Sequence, residues 1–197
     1  MDQSLYLSIN RFAARTAWAH PFATAYANYG VVVFAGILLA AWWRARSTGD
    51  LHRLAGALWS AAAAGIALGL GQIIGGIIDR HRPYETLHGV HVLVSRTTDF
   101  SIPSDHATAV GAVAVGLWIS DRPLGRATVA LAVLMAFTRV YVGAHYATDV
   151  LAGLALGGLV SGVGATIGTR IIERILAWAN HAAFVSAFTG RATAPNA

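Results

Sequence analysis

LAGALWSAAAAGIALGLGQIIGGII, residues 54–78, carries no charged side chain from end to end. A hydrocarbon core about 30 Å thick is crossed by roughly 20 apolar residues of helix, so this stretch alone is long enough to span a bilayer. Working outward, comparable blocks run from Phe22 to Trp43, Ser104 to Ser120, Leu124 to Val142 and Tyr146 to Ile172, the block at Ser104 being the shortest. Residues 1–20 place Leu5, Ile9 and Phe12 at helical spacing beside Arg11 and Arg15, the pattern of an interfacial helix or a poorly inserted sixth segment. Residues 173–197 read as a C-terminal tail, weakly amphipathic to about Phe188. The expected fold is all-α: a polytopic membrane bundle of five to six transmembrane helices, forming a single domain over residues 1–197.

The rest of the composition agrees. Hydrophobic residues make up 56% of the chain and charged ones 12%, and the mean hydropathy is +0.56, outside the range of a soluble domain. Cysteine is absent, which excludes disulfides, thiolate metal sites and thiol nucleophiles. Every basic side chain is arginine, so lysine Schiff-base chemistry is excluded too. The net charge of +5 does not point to nucleic acid, because the arginines stand singly between apolar blocks; the partners expected are membrane lipids. The N-terminus, Met-Asp-Gln-Ser, has no basic region of the kind that opens a signal peptide.

Glycines four residues apart, at Gly65 and Gly69, Gly71 and Gly75, Gly153 and Gly157, and Gly158 and Gly162, share helix faces and predict close helix packing. If the segments alternate, Arg44, Arg46, Arg53, Arg122, Arg126, Arg170, Arg174 and Arg191 fall on one side. Arg11, Arg15, Arg80, Arg82, Arg96 and Arg139 fall on the other. The richer side is expected to be cytoplasmic.

Three stretches then meet at the outer end: Arg80-His81-Arg82-Pro83, Pro103-Ser104-Asp105-His106, and Arg139 through Asp149. An arginine near a helix end often snorkels to the interface. Arg139 lies deeper, among Phe137, Val140 and Val142, where an unpaired charge costs about 3 kcal/mol, and so predicts an anionic partner. His145 and Asp149, four residues apart at a helix start, suit a nucleophile or base oriented by a carboxylate that accepts a proton from one imidazole nitrogen. A structural histidine–aspartate cap is the plain alternative. Ser104 follows Pro103 and precedes an apolar run, as an N-cap does, and His106 in the first turn is placed to protonate a leaving oxygen near an anion. Asp105 beside a phosphate would repel it, so its side chain is expected to turn away.

These residues resemble the signature of the type 2 phosphatidic acid phosphatase superfamily, which includes the vanadium haloperoxidases. The signature is a lysine, six residues and Arg-Pro; then Pro-Ser-Gly-His; then Ser-Arg, five residues, His, three residues, Asp. Here Arg82-Pro83, Pro103-Ser104-Asp105-His106, and Thr138-Arg139 with His145 and Asp149 match it. Gly75 stands at the lysine position, with Arg80 as the candidate substitute, and Asp105 replaces the glycine. Phe100-Ser101-Ile102 before Pro103, and Val90-His91-Val92-Leu93 upstream, resemble the bacitracin-resistance branch, whose members are undecaprenyl-diphosphatases.

The resemblance implies that His145 attacks the terminal phosphorus, Asp149 orients it, His106 protonates the leaving group, and Arg80, Arg82, Ser104 and Arg139 hold phosphate oxygens. It implies no cofactor and no metal, a multi-pass location in a bacterial plasma membrane, and a site facing the exterior. The substrate it implies is a polyprenyl diphosphate. Phosphatidate or phosphatidylglycerophosphate would use the same residues, and an anion or lipid transporter would bind without turnover, though no paired broken helices of the transporter kind are visible. His81, His88 and His91 complete no zinc spacing. Tyr84 and Glu85 are candidates for the entrance.

Overall fold

Tight reversals at one end and a long connection at the other organise the chain. The computed structural model describes residues 1–179 and Thr189. Its helices are α1 (Asp2–Arg15), α2 (His20–Thr48, after a 3-10 turn at Ala17–Ala19), α3 (Leu51–Ile78), α4 (Pro83–Thr86), α5 (Asp105–Ser120), α6 (Arg122–Tyr141) and α7 (Ala147–Ala179). Gly49 ends α2 in the left-handed region at φ +64°, where a side chain would be strained. Asp50 then caps α3 by accepting from the Arg53 amide at 3.0 Å, and Asp121 caps α6 through the Leu124 amide. Both turns lie at one end of the bundle, which leaves the 79–104 connection and the 142–146 turn together at the other.

Among the described residues, four helical stretches are long and apolar enough to cross a membrane: Ala17–Thr48, Leu51–Thr86, Arg122–Tyr141 and Ala147–Trp178. The fifth expected span, α5, has 16 residues. It packs against α3, α6 and α7 and buries Val110, Gly111, Val113, Ala114 and Leu117, so it lies inside a ring of other helices and has little lipid to face. Its contact with α7 depends on glycine. A Cβ at Gly153 would stand 2.6 Å from the Ser104 carbonyl oxygen, and one at Gly157 would run into the Thr108 backbone. Gly65 and Gly69 correct the expectation, since nothing lies within 4 Å of a Cβ at either. Spacing put them on one face, but among the described residues that face meets no other helix at these two positions.

α1 covers most of residues 1–20, the stretch expected to be an interfacial helix or a poorly inserted sixth segment. At 14 residues it is about 21 Å long, too short to span, and it lies against α6 and α7. Tyr6, Asn10 and Ala13 are buried beneath it. At the other end of the chain, helix continues beyond the expected boundary at Ile172 to Ala179; the rest of the expected tail, Thr189 excepted, lies outside the described residues.

Candidate active site

The connection after α3 turns sharply, with Asp79 at φ +48°, and delivers Arg82 to the N-terminus of α4. There Glu85 accepts from the Arg82 amide at 2.9 Å. The Arg82 guanidinium, 6% exposed, donates to the Ala144 carbonyl at 3.2 Å, to the Asp99 carboxylate at 3.0 Å and, from Nη1, toward His145 Nε2 at 3.1 Å. Arg139, in the last turn of α6, donates to the Ala27 carbonyl and brings Nη2 to 3.5 Å from the same imidazole nitrogen. Two guanidinium groups thus converge on His145 Nε2. They repel one another, and Asp99, in direct contact with Arg82, partly offsets this.

His145 is 2% exposed. Its Nδ1–H donates to the Ser101 carbonyl oxygen at 2.8 Å. A carbonyl only accepts, so the proton sits on Nδ1 and the Nε2 lone pair faces the arginines. Burial first, then Arg139 and Arg82, push the His145 pKa well below its ordinary value, against a smaller opposite effect of the Ser101 bond. The imidazole is therefore neutral at physiological pH, the form that attacks.

Asp149 is where the expectation needs correction. Its Oδ2 is 3.9 Å from His145 Nδ1, beyond hydrogen-bonding distance. That oxygen accepts instead from the Ser101 hydroxyl at 2.5 Å and the Tyr146 amide at 2.9 Å. Arg80 is corrected as well. Expected among the phosphate-binding groups, it donates to Asp149 Oδ1 at 2.6 Å, to Thr148 at 2.6 Å and to Asp2 of α1 at 2.6 Å, with its guanidinium 4.2 Å from the Tyr146 ring centre. It braces Asp149 from the side away from the arginine pair. The lysine position is closed too: a Cβ at Gly75 would meet Phe100 at 3.0 Å and the Ile102 carbonyl at 3.2 Å.

A pocket of about 300 Å³ opens where Arg82, Arg139 and His145 converge, lined also by Asn28, Asp99 and His106. Asp99 has its carboxyl held below the usual range: burial acts upward, but the Thr97 hydroxyl and Arg82 outweigh it. Ser104 is fully buried and stands at the N-cap position of α5, but its side chain makes no capping bond. Its Oγ, like Nε of Arg139, has no partner among the described residues. A buried polar group left so costs about 1–3 kcal/mol; an anion in the pocket would supply an acceptor for Arg139, which lines it, whereas Ser104 lies behind the wall, next to Asp105 and His106 and not itself among the lining residues. Asp105 is held toward α3 by Gln72, 3.1 Å from each carboxylate oxygen, although it also reaches the pocket wall.

Tyr84 and Glu85, candidates for the entrance, are not among the pocket's lining residues: Tyr84 donates to the Thr97 carbonyl at 2.9 Å, and Glu85 is occupied by the Arg82 amide. Sequence reasoning missed Asn28, Asp99 and Ser101. A polar residue inside the first apolar block was the available signal for Asn28; Asp99 and Ser101 sit in a polar connection where nothing marks them out.

Residues 53–172 match the PAP2 superfamily. Over 134 residues the chain is 33% identical to undecaprenyl-diphosphatase BcrC of Bacillus subtilis, covering 68% of this chain and 66% of that protein. Over 97 residues it is 36% identical to the undecaprenyl-diphosphatase of Sulfolobus acidocaldarius, covering 49% and 47%. The chain thus spans two thirds or less of these relatives' own length. A crystal structure of a PAP2-type phosphatidylglycerolphosphate phosphatase from Bacillus subtilis shares the fold, with a TM-score of 0.61 at 24% identity, over 86% of this chain and 87% of that one.

Proposed function

The chain belongs to the PAP2 superfamily, and on that premise we propose that it is a membrane lipid phosphatase that removes the terminal phosphate of an isoprenoid diphosphate, in the first place undecaprenyl diphosphate. The observation that carries this reading is the neutral His145 with Nε2 aimed between Arg82 and Arg139, beside buried donors that lack acceptors. Phosphoryl transfer needs positioning and positive charge around the spreading charge of the phosphoryl group, and little else.

In this mechanism Nε2 attacks the terminal phosphorus. An N–P bond forms as the bond from phosphorus to the bridging oxygen breaks, and His106 gives the departing prenyl phosphate its proton. Water, deprotonated by His106, then attacks the phosphohistidine, releasing inorganic phosphate and restoring Nε2. Arg82, Arg139 and Ser104 hold the oxygens throughout, so the cations come from the chain itself. The pocket faces the cell exterior in this reading, because Arg44, Arg46, Arg53, Arg122, Arg126, Arg170 and Arg174 gather at the opposite end. The prenyl chain stays among the lipids while the diphosphate reaches helix ends at the interface. The named activity of the two relatives supports the head group chosen.

The test is phosphate release from liposomes holding undecaprenyl diphosphate, farnesyl diphosphate, phosphatidate or phosphatidylglycerophosphate, with and without EDTA. Prenyl diphosphates are expected to be preferred, EDTA to leave the rate unchanged, and His145→Ala to abolish it with helicity intact. A wide preference for phosphatidate would sink the substrate assignment; release from none of the four would sink the enzyme.

A further inference from the structure

We propose that Ser101 is a positioning residue of this site, and that Asp149 governs His145 through Ser101 without touching the imidazole. This rests on the phosphatase reading above and adds a residue to it.

Ser101 is fully buried and tied at three points. Its amide donates to the Arg80 carbonyl at 2.8 Å, its hydroxyl donates to Asp149 Oδ2 at 2.5 Å, and its carbonyl accepts from His145 Nδ1 at 2.8 Å. The only direct approach between Asp149 and the imidazole is the 3.9 Å separation already described, too long for a hydrogen bond. The carboxylate also has its other commitments filled, by the Tyr146 amide and by Arg80. Arg80 is in turn anchored by Asp2 of α1. The line of force therefore runs from α1 through Arg80 and Asp149 to the Ser101 hydroxyl, and from the Ser101 carbonyl to the ring.

One residue thus fixes two things. Its carbonyl selects the tautomer with hydrogen on Nδ1, which leaves Nε2 free for phosphorus. Its hydroxyl, in a charge-assisted bond to a buried carboxylate, keeps that carbonyl from turning. Removing the hydroxyl releases the carbonyl and lets the ring tilt, and a misplacement of about 1 Å at a reacting atom costs on the order of 100-fold in rate. The guanidinium groups of Arg82 and Arg139 keep anchors of their own on Asp99, Ala144 and Ala27 that do not involve Ser101, so affinity is expected to change much less than turnover.

The experiment measures kcat and KM for a prenyl diphosphate with the full-length protein carrying Ser101→Ala, Ser101→Cys, Ser101→Thr, Asp149→Asn, or Ser101→Ala with Asp149→Asn. Ser101→Ala is expected to lower kcat by about 100-fold with KM within about threefold, and Ser101→Thr, which keeps a hydroxyl, to recover most of that loss. Ser101→Cys, similar in size with a weaker donor, falls between and remains informative if the alanine variant does not fold. The double variant is expected to be no worse than Asp149→Asn alone beyond about twofold, because residues acting as one unit are not additive. Ser101→Ala or Ser101→Cys at wild-type kcat, a loss carried by KM, or multiplicative losses in the double variant overturns the role given to Ser101 and leaves the phosphatase reading standing. A wild-type protein that releases no phosphate overturns that reading, and this one with it.

Discussion

Replacing Arg80 by Gln separates two roles that lead to opposite kinetics. Were Arg80 a phosphate ligand, its loss would raise KM and leave the protein's stability alone. The structure instead joins it to the fully buried Asp149 and the partly buried Asp2 at 2.6 Å each. Removing one partner of a buried ion pair costs about 3–5 kcal/mol, because the other charge is stranded. Arg80 is 28% exposed, and water reaching the site reduces this to roughly 2 kcal/mol. For a chain of this size that lowers the thermal midpoint by about 4–8 °C. The assay is a tryptophan-fluorescence melt in detergent beside steady-state kinetics. The expected pattern is a lower midpoint and a lower kcat with KM little changed, and Asp2→Asn should give a milder version of it. A tenfold rise in KM at an unchanged midpoint would refute the assignment and return Arg80 to the phosphate.

Arg139→Ala should lower kcat by about 10²–10³, the usual cost of one lost donor to a developing negative charge, read by phosphate release under saturating substrate. Because His145 titrates well below its unfolded value of 6.5, the unfolded chain takes up a proton first as pH falls. Stability contributed by neutral His145 is complete above about pH 6.5 and declines as pH drops toward the folded pKa; urea midpoints between pH 5 and 7 should fall in the wild type and fall less in His145→Gln. Gly157→Ala should destabilise by about 1–3 kcal/mol through overpacking, whereas Gly65→Ala, with open space around it, should melt at or slightly above the wild-type midpoint.

How far sequence reaches is clearest from particular residues. Long apolar blocks located α2, α3, α6 and α7 because hydropathy is a local property, and spacing located Arg82, Arg139, His106, His145 and Asp149. Direction was not local. Arg80 and Arg82 are two positions apart, yet one turns to the pocket and the other to partners 78 and 69 residues away. Spacing showed that Gly65 and Gly69 share a face, but what that face meets depends on where other helices lie. Ser101 was silent because half its role belongs to its backbone carbonyl, which any residue carries.

Phe100 fills the space beside Gly75 where the family signature has a lysine. Reintroducing that lysine is therefore not a simple exchange: the Cβ of Gly75→Lys would meet the Phe100 side chain at 3.0 Å and the Ile102 carbonyl at 3.2 Å. An engineered return to the lysine-bearing form has to move the Phe100 ring and the Ile102 backbone aside as well as supply the cation.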